Sequence, residues 1–152
     1  MLIEKHSLSL EQVITTNIKG IKLSKHKQIP TKFFDILPIP IIVLELKTHT
    51  LNHPIIYLNT NFNKIIGWSL DDIPDKDHWW KKAYPEPNYQ KTAEDLWELY
   101  MESVSINDES FAIMTANIMT KHCGMKRFKI YTELKNAFID GYYAVAFKEV
   151  DE

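Results

Sequence analysis

Glycine and cysteine are both scarce in this chain: four glycines and one cysteine in 152 residues. Four scattered glycines leave no glycine-rich loop to cradle a phosphate. A single cysteine, Cys123, excludes an internal disulfide framework and suits a reducing compartment, read here as the cytoplasm. Charge of one sign is also lacking: 18 basic and 20 acidic residues leave a net charge of -2, so no global field draws the chain to nucleic acid or to an anionic membrane. Long apolar runs are missing too. The longest, Ile36 to Leu46, is broken by Pro38, Pro40 and Glu45 and is too short for a bilayer, and the N-terminus lacks the apolar block of a signal peptide. What is present is ordinary for a globular protein: 45% hydrophobic and 25% charged residues, in a length that fits one core. Such a chain should bury roughly two thirds of its unfolded surface.

The first thirty residues differ from the rest. Ser9 and Gln12 form a capping box, and Leu10, Val13, Ile14 and Ile18 fall on one stripe before Gly20, which predicts a short amphipathic helix. Lysines 5, 19, 22, 25 and 27 outnumber Glu4 and Glu11 here and read as a solvated lead-in. A domain edge is expected near Pro30, with the N-terminal helix and basic linker over 1–30 and the body over 31–152.

In the body, Thr31 can cap a short helix through Leu37, which Pro38 ends. Ile41 to Leu46 and Ile55 to Leu58 are β-branched runs around a polar loop, the pattern of an antiparallel pair. Asn59 or Thr60 then caps a helix with Phe62, Ile65 and Ile66 inward and Gly67 as its stop. Ser69 and Asp72 form a second capping box before Pro74, and Asp75 caps a helix carrying Trp79 and Trp80. After Pro87, apolar residues at spacings of three and four, from Tyr89 to Val104, predict the longest helix. Three extended segments follow, Phe111 to Thr120, Lys126 to Leu134 and Tyr142 to Val150, divided by turn signals at Cys123-Gly124 and Asp140-Gly141. The fold class is α+β: a five-stranded antiparallel sheet with short helices and one long helix between its second and third strands, plus the N-terminal helix.

Three stretches resemble the PAS family of sensory domains. Ile56-Tyr57-Leu58-Asn59, Phe62, Gly67-Trp68-Ser69 and Asp72 are similar to its strand ending in Asn followed by Gly-aromatic-Ser before an acidic turn. Asp77-His78-Trp79-Trp80 through Tyr84-Pro85-Glu86-Pro87 resembles a subgroup found ahead of histidine kinases and GGDEF-type diguanylate cyclases. The close, Ala146-Phe147-Lys148-Glu149-Val150-Asp151-Glu152, is similar to the family's Asp-Ile/Val-Thr-Glu ending, with Glu149 and Asp151 in place of the usual Asp and Thr. The resemblance implies a sensor of two-component or cyclic-di-GMP signalling that binds a small apolar or aromatic ligand in its core. It would regulate an effector, a histidine kinase or diguanylate cyclase in cis or in trans, with Glu149, Val150 and Asp151 as the output segment. The alternative is a ligand-free dimerisation module. There Leu10, Val13, Ile14 and Ile18 pack on the outer sheet face, where the small Ala144 and Ala146 would admit a helix, or on the same stripe of a second copy.

Candidate chemistry is sparse. His122-Cys123 lacks a second ligand pair at zinc spacing, so no metal site is expected. His49 and His53 sit on a loop and read as solvated, while His78 is either a pH sensor or a surface residue. No nucleophile with a base, no carboxylate pair in an apolar setting and no phosphate loop is found, and the chain is read as no enzyme. Among family cofactors, haem is disfavoured because Asn88 to Ser105 holds no axial histidine. Covalent flavin is disfavoured because the Asn-Cys-Arg-Phe-Leu string of flavin-thiol photoreceptors is missing. A non-covalent flavin or other planar aromatic compound stays open, since Trp97 and Phe147 offer stacking surfaces. Period-two alternation places Tyr143, Val145 and Phe147 inward. With Leu96, Trp97 and Tyr100 of the long helix, these six are the ligand-pocket candidates, filling the core first and touching a ligand second.

Overall fold

The computed structural model describes residues 29–107, 111–133 and 139–151. The proposed helix of Leu10, Val13, Ile14 and Ile18 lies outside the described residues. The chain divides into two compact units, Met1–Pro38 and Ile39–Glu152. In the first, α1 spans Thr31–Ile36. Thr31 is not its cap: Pro30 holds the N-cap position with no side-chain hydrogen bond. The helix ends because Pro38 excludes helical geometry from the residue before it, and Leu37 is extended, with ψ of 134°.

The second unit follows the expected order: β1 (Ile41–Glu45), β2 (Ile55–Leu58), α2 (Thr60–Ile65), α3 (Lys76–Ala83), α4 (Pro87–Asn107), β3 (Phe111–Met119), β4 (Met125–Glu133) and β5 (Tyr142–Glu149). The strands form one antiparallel sheet in the order β2-β1-β5-β4-β3. The first and last strands of the unit are therefore neighbours at the centre, and the helices between β2 and β3 must cross one face to reach the far edge. Register carries the pattern across that inner face: Leu44 pairs with Tyr143, Ile42 with Val145, Ile130 with Phe147 and Met114 with Ile130. Those residues are buried together with Phe62, Phe128, Trp79 and Tyr84 in one core. No helix among the described residues is long and apolar enough to cross a membrane.

Two polar joints hold the helices to the sheet. Asn59, with 0% exposure, caps α2. Its Oδ1 accepts from Phe62 N–H at 2.9 Å and from Ile41 N–H at 2.8 Å, while its Nδ2 donates to Ile39 O at 3.0 Å. One amide thus caps a helix and ties the end of β2 to the start of β1, which only a group with both donor and acceptor can do.

The second joint begins at Gly67, whose φ of +88° suits a residue without Cβ. A Cβ there would stand 3.3 Å from Lys121 Cβ. That close approach lets Lys121 N–H donate to Ile66 O at 2.8 Å and Trp68 Nε1 donate to Met119 O at 2.9 Å. Ser69 and Asp72 form the reciprocal box, Ser69 N–H and Oγ–H donating to Asp72 Oδ2 and Asp72 N–H to Ser69 Oγ. They make a single turn. Lys121 Nζ adds an ion pair to Asp72 at 2.9 Å. The Ser69 amide first, and Lys121 next, hold the Asp72 carboxyl down at about 2.

Candidate functional site

The loop between β1 and β2 fixes the start of α3. Lys76 N–H donates to His53 O at 3.0 Å, Asp77 N–H to Asn52 Oδ1 at 2.8 Å, and Asp75 Oδ1 caps the helix by accepting from His78 N–H at 2.9 Å. With its backbone pinned on that side, Lys76 is buried, at 8% exposure. Its Nζ lies over the Trp97 ring, 4.1 Å from the centroid. Burial lowers its pKa to about 8, against the pull of Glu98, Asp77 and Glu94. No described ion pair includes it.

Lys76 forms part of the wall of a cavity of about 30 Å³ between α3, α4 and the inner sheet face. Trp79, Trp80 and Tyr84 of α3 and its C-terminal cap, Trp97 of α4, Thr132 of β4, and Tyr143, Val145 and Phe147 of β5 supply most of the rest. The aromatic rings pack edge to face or tilted, Trp79 5.4 Å from Phe147 and Trp80 6.2 Å from Trp97 between centroids. Such a volume holds about one or two waters.

Two polar groups on this wall are unusual. Tyr84 is 1% exposed and its hydroxyl has no hydrogen-bond partner; burial pushes that hydroxyl's pKa well up. Tyr143, by contrast, is paired with His53 at 2.7 Å, and His53 Nε2 stands 3.2 Å from Lys47 O. A carbonyl only accepts, so Nε2 carries the hydrogen, Nδ1 accepts, and the Tyr143 hydroxyl donates to it. Burial, and next the Lys76 cation, lower the His53 pKa, consistent with a neutral ring. His53 is therefore no solvated loop histidine; it is 6% exposed. A polar loop gives no sign of that in sequence, because its partner is ninety residues away.

Of the six pocket candidates, Trp97, Tyr143, Val145 and Phe147 stand on the cavity wall. Leu96 and Tyr100 pack against the core without reaching it. Ala144 and Ala146 alternate onto the opposite face and are half-buried. Glu149 ends β5 in an ion pair with Lys126 at 3.5 Å, Val150 N–H donates to Arg127 O, and Asp151 is exposed. His78 is exposed and bonded to Asp75 at 2.7 Å, and Cys123 is exposed in the β3–β4 turn. Sequence reading missed Lys76 and Tyr84. Lys76 sits in the run Asp75-Lys76-Asp77, which reads as solvent-facing charge; Tyr84, beside Pro85, gave only its family likeness.

No family model matches the sequence, and no curated protein does. Solved structures do. A variant of RsLOV matches with a TM-score of 0.57 and 9% identity over 80% of this chain and 66% of that one. The light-oxygen-voltage (LOV) protein of Rhodobacter sphaeroides matches at 0.53, with 9% identity over 80% and 65%. An RNA-binding light-oxygen-voltage receptor matches at 0.52, with 12% identity over 79% and 32%. This chain thus spans about two thirds of the first two and about a third of the other. These neighbours correct the expectation against covalent flavin: they are LOV proteins, and the missing Asn-Cys-Arg-Phe-Leu string does not set this chain's fold apart from theirs. In the packing described, a flavin ring system would enter the cavity only with movement of its aromatic lining. At these identities the likeness shows the fold, and that fold is the PAS/LOV-type α+β domain.

Proposed function

We propose that this chain is a sensory PAS-type domain that takes a small ligand into the cavity between α3, α4 and the sheet, and acts through a partner rather than by catalysis. The observation that carries this reading is an unspent buried polar group on an apolar wall, the Tyr84 hydroxyl, with the Lys76 ammonium on the same wall against the Trp97 ring face. Leaving a buried polar group unpaired costs about 1–3 kcal/mol, a cost that a ligand would offset when bound. The likeness to LOV proteins supports a sensory role on this fold.

Occupancy would act through β5, which lines the cavity with Tyr143, Val145 and Phe147 and ends at Glu149. A ligand biases such an element only by its differential affinity for two packings, typically about 1–3 kcal/mol. The effector, a histidine kinase or diguanylate cyclase, would be reached through Glu149, Val150 and Asp151.

A second reading, a ligand-free homodimer, draws on the exposed Phe111 and Ile113 of edge strand β3. Native mass spectrometry of the full chain separates the two. A non-covalently bound small mass released on activation supports the sensor; an apo dimer and no bound mass supports the dimer and overturns the sensor.

A further inference from the structure

The polar groups of the core cavity are unbalanced in one direction. Lys76 brings three N–H donors and a positive charge, with no hydrogen-bond acceptor and no ion-pair partner for Nζ among the described residues; the Trp97 face is its only close contact of that kind. The Tyr84 hydroxyl adds an unpartnered O–H donor, with its acceptor capacity also unused. On the acceptor side, the Thr132 hydroxyl already receives Trp97 Nε1–H at 3.2 Å, and His53 Nδ1 is taken by Tyr143. Glu94 and Glu98 of α4 and Asp77 of α3 act on Lys76 through space without reaching it.

A cavity with donors and one cation to spare calls for an acceptor of one negative charge. A phosphate or sulfate would bring more charge than one ammonium balances, in surroundings where unpaired charge is strongly disfavoured. A carboxylate brings one charge over two oxygens, matching two donor groups. The rest of the wall is largely apolar, aromatic at Trp79, Trp80, Trp97 and Phe147 and aliphatic at Ile42 and Leu44 among others, and suits a short carbon body rather than further hydroxyls. About 30 Å³ limits that body to a few heavy atoms.

We propose that the core cavity is a binding site for a short-chain monocarboxylate, with Lys76 and Tyr84 receiving the carboxylate and Trp97 and Phe147 enclosing the carbon chain. This inference rests on the reading of the domain as a ligand-binding module.

The test is isothermal titration calorimetry of the full chain against sodium formate, acetate, propionate and butyrate. Controls are sodium chloride at equal ionic strength and the neutral analogues acetamide and 1-propanol. One or more acids should bind with Kd on the order of 1 mM, as suits so few atoms. Lys76→Met should weaken that binding at least tenfold and Tyr84→Phe about three- to tenfold, both variants keeping the wild-type far-ultraviolet circular dichroism. Acids that give no heat beyond chloride overturn the proposal, as does full binding by Lys76→Met. Binding of the neutral compounds in preference to the acids overturns the carboxylate assignment and leaves the cavity a ligand site, so the two readings fail separately.

Discussion

Buried polar groups are treated in opposite ways in two regions of this domain. At the joints where α2 and the Gly67–Asp72 segment meet the sheet, donors and acceptors are matched: Asn59 places three hydrogen bonds, and Ser69 and Asp72 close a reciprocal box. Around the cavity, a few residues further along the chain, the Tyr84 hydroxyl has no hydrogen-bond partner and the Lys76 ammonium lies against a ring face with no ion pair among the described residues. A matched network specifies one arrangement; an unmatched one lowers stability and leaves capacity for something else to bind. The first region is architecture. The second is the candidate site.

Substitutions in the two regions should therefore have opposite signs. The largest effect is expected for Asn59→Ala, which strands the Ile41 and Phe62 amides in the core and removes a cap: a loss of about 3–5 kcal/mol, read from urea unfolding. Gly67→Ala forces a Cβ into a left-handed conformation against the β3–β4 turn and should cost about 1–3 kcal/mol by the same measurement. Lys76→Met should instead stabilise the free protein by about 1–2 kcal/mol, because removing a buried charge outweighs a cation–π contact of about 1 kcal/mol. If Lys76→Met is destabilising, the lysine belongs with the matched region and the contrast fails.

Dependence on pH sharpens the same contrast. His53 has a folded pKa below its ordinary 6.5, so as pH falls through that range the unfolded chain takes up a proton more readily than the folded one, and stability declines. Lys76 is lowered to about 8 from 10.5; between those values the unfolded state again holds more protons, and stability should rise with pH. The upper rise should vanish in Lys76→Met while the lower decline persists, as followed by urea midpoints from pH 5.5 to 10.

Much of the architecture was legible because it is written locally. β-Branched runs gave β1 and β2, Asn59 and Asp75 announced their helices as caps, and alternation alone put Tyr143, Val145 and Phe147 on one face. Each of these is decided within a few residues. Lys76 and His53 were not legible for the converse reason. Their burial is set by contacts with Trp97, Tyr143 and Lys47, so nothing in Pro74-Asp75-Lys76-Asp77 or Asn52-His53-Pro54 distinguishes them from solvated polar loops. Thr31 failed as a cap because the helix begins at Thr31 itself, one residue past the N-cap position that Pro30 holds. The cofactor expectation failed because a motif absent from the sequence does not separate this chain from LOV proteins that share its fold.

The four tryptophans offer the most direct test of the cavity as a ligand site, since Trp79, Trp80 and Trp97 line it and Trp68 belongs to the joint with the β3–β4 turn. In a proton–nitrogen correlation spectrum of the full chain titrated with small carboxylates, flavins and planar aromatic compounds, at least one compound should shift the three cavity indole signals in a saturable way and leave Trp68 in place. If no compound moves those three apart from Trp68, the cavity is packing alone and the account is contradicted.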